Sequence, residues 1–173
     1  DVMEVMSPKI LGTGELVRYA EERDMDFLVL FSSYSAVLSV GGQADYIGAN
    51  SFMDACADFR NPHGRIKVLN WSGWRECGMA LANGVDMEKS PVRFLNNQEG
   101  KEAFLRAMSC KSSRVLIGQY QYKELASSME DYEKLLRFDE TTLAQIRKAD
   151  AGKSRENENY TITVRGKDTP LSP

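Results

Sequence analysis

The sequence predicts an α/β fold in which a doubly wound parallel sheet carries helices on both faces. Two observations point to this class. Stretches with helical periodicity alternate along the chain with short apolar runs, which is typical of parallel strands joined by crossover helices. The apolar runs are continuous instead of alternating with polar residues, which indicates strands that are buried on both faces.

The first two elements are a helix and a strand. Residues 1–23 favour a helix that tolerates Pro8 in its first turn. The apolar residues of this helix recur at roughly helical spacing: Leu11, Leu16, Val17 and Ala20. The run 27–31 is the first predicted strand, and it ends at Ser32 and Ser33.

The later elements continue the same alternation. Helices are predicted at 44–60 and 99–110, and strands at 66–70 and 114–118. Turn chemistry at 61–64 ends the helix before the second strand. Residues 71–97 have no clear periodicity, so the sequence predicts a long loop there.

The remainder of the chain predicts a helical segment followed by a linker. One helical stripe is formed by Leu125, Met129, Tyr132 and Leu136. Residues 142–145 predict a capping box for a second short helix. Apolar residues become sparse over 151–173, which predicts a linker with one extended stretch at 160–164.

Composition and charge exclude several classes of function. The 173 residues suggest about one domain, and 42% of them are apolar, which is enough for a packed core. The net charge is 22 − 25 = −3 with no basic block, so we expect no nucleic-acid partner. No stretch of 18 apolar residues occurs, so we expect no membrane span.

Cysteine and histidine usage argues against a metal site. Cys56, Cys77 and Cys110 are far apart and form no CxxC pair, which favours a reducing, cytoplasmic compartment over a disulfide framework. The single histidine, His63, lies in a turn-like segment and cannot build a multi-histidine site. Metalloenzyme and hydrolase functions are therefore disfavoured.

Three candidate positions lie at the ends of the predicted strands, where ligands bind in sheets of this kind. Ser33 follows the first strand, Asn70 ends the second and Gly118 ends the third. The Gly-rich patterns GxGxxG and GxxxxGK[ST] are both absent. On spacing alone, the chain therefore lacks a phosphate-binding loop.

Three further side chains could join Ser33 at this edge of the sheet. Tyr46 begins the second helix and Asn50 lies four residues later, so both project from one helical face. Lys9 on the preceding helix is a candidate for positive charge near the tyrosine. Taken singly, each has an ordinary alternative: a strand-end cap, a packed aromatic ring, a helix-to-loop hydrogen bond and a solvated charge.

Several separated motifs occur in order over residues 1–118. They are Ser7-Pro8-Lys9, Phe27–Ser33, Gly42–Ala55, Leu69–Trp74 and Gly78-Met79-Ala80. In sequence and spacing they closely resemble the ketoreductase domain of modular polyketide synthases, a member of the short-chain dehydrogenase/reductase superfamily. The resemblance implies a Rossmann-like sheet, of which this chain would hold the C-terminal half.

The resemblance also implies a role for each candidate residue. Tyr46 would protonate the carbonyl oxygen as hydride arrives, and Ser33 would hold that oxygen by a hydrogen bond. Lys9 would place positive charge beside the tyrosine and touch the nicotinamide ribose, and Asn50 would complete the polar network. The superfamily usually carries its lysine four residues after the tyrosine, but Asn50 stands there and no YxxxK occurs. Lysine on the previous helix is the ketoreductase arrangement.

Cofactor and lid residues are implied in the same way. Lys9, Tyr46 and Asn70 would contact NADPH, most of which would be bound by residues upstream of this chain. Trp74 and Met79, within the long loop, would belong to a substrate lid. The alternative for this loop is a hydrophobic plug on the sheet.

The resemblance further implies a place within a larger protein. Residues 1–120 would be part of the ketoreductase domain, 121–150 a helical segment after it, and 151–173 a linker toward a downstream domain. The substrate would be a β-ketoacyl thioester on the phosphopantetheine of an acyl carrier domain, and the other partners would be neighbouring synthase domains. The fragment alone would be inactive, and its first strand would expose an edge.

Two other functions remain open at this point. One is a free-standing dehydrogenase acting on a small alcohol or ketone, which the missing YxxxK and the linker-like tail disfavour. The other is a catalytically silent ketoreductase-like block, which the presence of Lys9, Ser33, Tyr46 and Asn50 disfavours.

Overall fold

The computed structural model describes residues 2–38, 42–61, 63–132, 136–151 and 162–164. The described helices are α1 (Val2–Glu22), α2 (Ala44–Phe59), α3 (Met79–Ala82), α4 (Asn97–Ser109), α5 (Tyr122–Ser127), α6 (Met129–Tyr132) and α7 (Glu140–Asp150). The described strands are β1 (Leu28–Ser33), β2 (Ile66–Trp71), β3 (Val92–Arg93), β4 (Arg114–Ile117), β5 (Gln119–Tyr120) and β6 (Ile162–Val164). Short 3₁₀ turns lie at Tyr34–Ala36 and Met87–Lys89.

The described residues form two compact units. Unit 1 contains those within Asp1–Trp71, Lys101–Ile117 and Ile162–Pro173, and unit 2 contains those within Ser72–Gly100 and Gly118–Thr161. The main sheet belongs to unit 1. The division of the chain into residues 1–120, 121–150 and 151–173 stays a prediction.

The sheet of unit 1 has the strand order β1-β2-β4-β6. β1 runs parallel to β2, in a register that sets Leu28 opposite Ile66 and Ser33 opposite Trp71. β2 runs parallel to β4, whereas β6 pairs antiparallel with β4. The predicted fold class, α/β with a parallel sheet, is confirmed.

One face of this sheet is covered by α1 and α2. Leu30 of β1 lies opposite Val68 of β2, so both project to the same face. They join a buried cluster formed by Val17, Leu30, Met53, Cys56, Ala57, Ile66 and Val68. Burying each large apolar side chain contributes about 1.5–3 kcal/mol, so this cluster holds α1 and α2 against the strands.

The opposite face carries aromatic side chains and α4. Phe31 of β1 stacks on Trp71 of β2 with ring centroids 5.4 Å apart. Phe104 of α4 lies 6.2 Å from Phe31. Helices therefore lie on both faces of the sheet, but Phe31 is still 52% exposed, so β1 is covered less completely than its continuous apolar run predicts.

A lysine ties β2 to the end of α4 on this second face. The Nζ of Lys67 donates hydrogen bonds to the carbonyl oxygens of Ala107, Met108 and Cys110 at 2.9, 3.3 and 2.5 Å. The last carbonyl groups of a helix have no partner within the helix, and a cation is favoured beside them. Lys67 therefore caps α4 from the neighbouring strand.

Replacing Lys67 with Met is expected to lower the free energy of unfolding by about 1–3 kcal/mol, because partly buried carbonyl groups lose a charged donor. Urea denaturation of the full chain measures this. Lys111→Met is the control, since Lys111 is exposed just beyond the same helix end. Equal losses in the two variants would contradict the capping role.

Two expectations for the later part of the chain are wrong in detail. The helical stripe that begins at Leu125 is interrupted at Ser128, where α5 ends. The hydroxyl of Ser127 donates to the carbonyl oxygen of Glu124 at 2.7 Å, and such local bonds compete with a continuing helix. Two short helices, α5 and α6, therefore replace one long helix.

The predicted capping box at 142–145 is also wrong. α7 begins at Glu140, and Asp139 is its N-cap. The Asp139 carboxylate accepts from the backbone N–H of Thr142 at 2.8 Å and from its hydroxyl at 2.9 Å. The helix therefore starts earlier than the box predicts, because aspartate is among the strongest N-cap residues.

Part of unit 2 has more structure than expected, and the extended stretch predicted near the end of the chain is present in part. The segment predicted as a long loop contains α3 and β3, and β3 pairs antiparallel with β5. Periodicity cannot reveal this pairing, since each strand is only two residues long. The extended stretch expected at 160–164 is present as β6, while residues 160 and 161 lie outside the described residues.

Candidate active site

Tyr46 and Asn50 occupy the first two turns of α2. The helix begins at Ala44, and the backbone N–H of Tyr46 donates to the Asp45 carboxylate at 2.7 Å. One turn later, the Asn50 side-chain Nδ2 donates to the carbonyl oxygen of Tyr46 at 2.8 Å. Tyr46 is half-buried and Asn50 is fully buried. The two residues therefore share one side of α2, as their spacing predicts.

Lys9 reaches Tyr46 from the neighbouring helix. The Lys9 Nζ lies 5.7 Å from the centre of the Tyr46 ring and 3.5 Å from the carbonyl oxygen of Phe31. Partial burial lowers the pKa of Lys9, because removal from water disfavours the charged form. The packing of α1 on α2 thus brings an ammonium group to the phenol across a long separation in sequence.

Ser33 ends β1 and caps the 3₁₀ turn that follows. Its buried Oγ accepts a hydrogen bond from the backbone N–H of Ser35 at 3.2 Å and another from the Ser35 hydroxyl at 2.9 Å. Both bonds use lone pairs of Ser33, so its own proton remains available for donation. The ordinary role of strand-end cap and the predicted role of hydroxyl donor are therefore compatible.

The strand carrying Ser33 is tied to α2 by the preceding residue. The Ser32 hydroxyl donates to the carbonyl oxygen of Asn50 at 3.3 Å. The structure thus brings Lys9 and Tyr46 together directly, and it links Ser33 to the same helix through Ser32.

Asn70 lies at the end of β2, and its side chain is buried. Its Nδ2 donates to both carboxylate oxygens of Asp54, at 2.9 and 3.0 Å, and lies 3.2 Å from both the Ser32 hydroxyl and the Ser33 carbonyl oxygen. The predicted contact of Asn70 with the cofactor stays a prediction. In the structure, the side-chain nitrogen of Asn70 bonds within a buried polar network.

Asp54 is the residue of this network that the sequence analysis missed. Burial raises the pKa of its carboxyl group, and hydrogen bonds from Asn70 and Ser32 oppose that rise. A carboxylate four residues after Asn50, on the apolar side of an amphipathic helix, is the signal that could have identified it. Buried carboxylates are rare unless they are paired.

The lid candidates Trp74 and Met79 lie in unit 2. A Cβ added to Gly100 would fall 2.2 Å from the Trp74 ring, so within unit 2 the indole packs directly on the backbone of Gly100. Met79 is 60% exposed at the start of α3. The lid role of both residues stays a prediction. The contact with Gly100 holds the Trp74 side chain in place.

Replacing Gly100 with Ala is expected to destabilise the protein and to alter tryptophan fluorescence, because the new methyl group clashes with the indole ring of Trp74. In an open helical position the same change is expected to stabilise by about 0.5–1 kcal/mol. Gly12→Ala in α1 is the matched control, since no atom lies within 4 Å of its added Cβ. Thermal unfolding followed by fluorescence measures both, and stabilisation of the two variants alike would contradict the packing.

None of the described helices is long and apolar enough to cross a membrane. In the same part of the chain, no group of three or more His, Cys, Asp or Glu side chains is arranged to hold a metal ion.

Comparison with known proteins finds polyketide synthases among the relatives of this chain. Residues 1–76 match the family model described as "KR domain". Polyketide synthase PksN of Bacillus subtilis (strain 168) is 30% identical over 127 residues, which are 68% of this chain and 2% of that protein. The 6-methylsalicylic acid synthase of Penicillium terrestre is 40% identical over 105 residues, which are 58% of this chain and 6% of that protein.

Solved structures give the same result. An N-terminal ketoreductase from the macrolactin assembly line is 34% identical, with a TM-score of 0.58, and the match covers 73% of this chain and 25% of that one. The first ketoreductase of the tylosin polyketide synthase has a TM-score of 0.70 at 24% identity, covering 86% of this chain and 33% of that one. The latter likeness concerns the fold alone.

The chain therefore spans a small part of its synthase relatives and about a quarter to a third of the matched ketoreductase structures. The matched region contains Lys9, Ser33, Tyr46 and Asn50, the residues that the geometry above connects. The relatives reported above are polyketide synthases and their ketoreductase domains. Residues 1–76 of this chain belong to the KR domain family.

Proposed function

We propose that this chain supplies the catalytic residues of a β-ketoreductase, which reduces a β-ketoacyl thioester to the β-hydroxyacyl thioester with NADPH. The observation that carries the proposal is the ammonium of Lys9, 5.7 Å from the centre of the Tyr46 ring. A phenol is a better proton donor when positive charge stabilises the phenolate that remains.

The roles of the side chains follow from the charge that develops during reduction. Negative charge builds up on the carbonyl oxygen of the substrate, and donors aimed at that oxygen stabilise it. Tyr46 donates its proton to the oxygen, and the Ser33 hydroxyl donates a hydrogen bond to hold it. Lys9 stabilises the phenolate left on Tyr46, and Asn50 fixes the backbone carbonyl of Tyr46 at 2.8 Å.

NADPH supplies the hydride when it is bound. Lys9 and Tyr46 fit the nicotinamide ribose, because an ammonium and a phenol lie side by side at the carboxyl end of β1. The Oδ1 of Asn50 adds a buried acceptor that has no partner within the described part of the chain. Since the sequence has no Gly-rich phosphate loop, we propose that this chain contributes only the nicotinamide end of the cofactor site.

The identity of the relatives supports a carrier-bound substrate. Polyketide synthases are named among the matches from bacteria and fungi, and this chain covers 2% and 9% of the length of two of them. We propose that the thioester is presented on the phosphopantetheine of an acyl carrier domain, and that neighbouring synthase domains are the other partners.

The full-length protein that contains this chain tests the proposal. Incubated with NADPH and a β-ketoacyl thioester, it is expected to oxidise NADPH and to form the β-hydroxy product, detected by mass spectrometry. A simple alcohol with NADP⁺ is the control for a free-standing dehydrogenase. Turnover of the alcohol without turnover of the thioester, or no turnover of either, would overturn the proposal.

A further inference from the structure

A buried polar network lies beneath the candidate active site and reaches none of its reacting atoms. Asp54 contributes the carboxylate, Asn70 the amide and Ser32 the hydroxyl. The side chains of all three residues are at least nine-tenths buried. The proposed reaction gives them no direct part, so their contacts need another explanation.

The network joins three elements at the carboxyl end of the sheet. Asp54 lies on α2 two turns after Tyr46, on the side that also carries Asn50. Asn70 ends β2, and its Nδ2 lies 3.2 Å from the carbonyl oxygen of Ser33 at the end of β1. One amide group therefore bridges the helix that bears the phenol and the strand end that bears the catalytic hydroxyl.

A role limited to filling space in the core explains this arrangement poorly. Burial of a carboxylate and an amide is costly unless their hydrogen bonds are made, and an apolar pair could fill the same space without that cost. Directional bonds, unlike apolar contacts, fix distances between elements. Here they fix α2 relative to the last residues of β1.

We infer that Asp54 and Asn70 are positioning residues for the proposed reductase. Together they hold the Ser33 hydroxyl and the Tyr46 phenol close enough for both to contact the same carbonyl oxygen of the substrate. The inference rests on the proposed function. Arg114 of β4 places positive charge near the carboxylate, with its Nη1 3.9 Å from Asp54, and its Nε lies 3.1 Å from Asp58.

The expected signature is a loss of turnover without a loss of cofactor affinity. A misplacement of about 1 Å in a reacting group costs about 10²-fold in rate. We expect Asp54→Ala and Asn70→Ala to lower kcat by about 10–100-fold in the full-length protein, with the Kd for NADPH unchanged in Asp54→Ala. Asp54→Asn keeps one oxygen that can accept from Asn70, so it is expected to retain more of kcat than Asp54→Ala.

Lys67→Met is the matched control, because it breaks a partly buried tie between β2 and α4 on the opposite face of the sheet. It is expected to lower stability and to leave kcat unchanged. A retained kcat in Asp54→Ala, at a stability loss like that of Lys67→Met, would overturn the inference. If Asp54→Ala does not fold, kcat in Asn70→Ala decides in the same way.

The wild-type protein separates this inference from the function on which it rests. An inactive wild type would contradict the proposed function and the inference with it. An active wild type whose Asp54 and Asn70 variants keep their kcat would contradict the inference alone.

Discussion

Replacing Tyr46 with Phe is expected to lower kcat by about 10²–10⁴-fold, the usual contribution of a positioned general acid. The change removes only the phenolic hydroxyl, so the ring that packs beside Lys9 remains. Binding of NADPH is therefore expected to persist, with a small change in Kd from the lost ribose contact. NADPH oxidation by the full-length protein measures kcat, and cofactor fluorescence measures Kd.

Tyr19→Phe is the control for this variant. Tyr19 lies on α1 and is 51% exposed, and its ring contacts Arg23. Removal of its hydroxyl is expected to leave kcat unchanged. Wild-type rates in Tyr46→Phe would remove Tyr46 from the role of proton donor and would leave the cation beside its ring without a catalytic explanation.

Replacing Ser33 with Ala is expected to lower kcat by about 10²–10³-fold, as the loss of one donor to a developing oxyanion does in other enzymes. The donor is free for this role because Ser35 uses only the lone pairs of the Ser33 oxygen. The same kinetic assay measures the loss, and the Kd for NADPH is expected to stay near the wild-type value.

Ser35→Ala separates donation from orientation. It keeps the Ser33 hydroxyl and removes one of the bonds that orient it, so the expected loss is smaller than in Ser33→Ala. Equal losses in both variants would show that the Ser33–Ser35 pair acts only as the cap of the 3₁₀ turn. Full activity in Ser33→Ala would show that its hydroxyl does not contact the reacting oxygen.

The main strands and helices of unit 1 follow from sequence patterns. The run beginning at Phe27 has no polar interruption before Ser32, which predicts a strand covered on both faces. The strand is present, but Phe27 and Phe31 are 57% and 52% exposed. Capping was less predictable: α7 starts at Glu140 because the carboxylate of Asp139 caps a helix better than the threonine three residues later. Several residues near a helix start can serve as caps, and pattern alone does not rank them.

Sequence patterns suggested the residues of the candidate site, but only the resemblance to a known family gave them roles in one reaction. Periodicity places Tyr46 and Asn50 on one helical face, but nothing in local sequence connects Lys9 with Tyr46. Their contact depends on how α1 packs on α2 over the buried cluster. Asp54 was missed for a related reason, since its partner Asn70 lies on another element.

The sequence by itself determined the α/β class, the approximate bounds of the principal elements and the chemical nature of the residues at the strand ends. Local periodicity and turn chemistry act over a few residues, so they can be recognised in the amino-acid sequence. Tertiary structure alone decided which polar groups meet: the ammonium of Lys9 beside the ring of Tyr46, and the amide of Asn70 between Asp54 and Ser33. Such contacts arise from packing between elements distant in sequence, and the hydrogen bonds that buried polar groups require are satisfied only once those elements have come together.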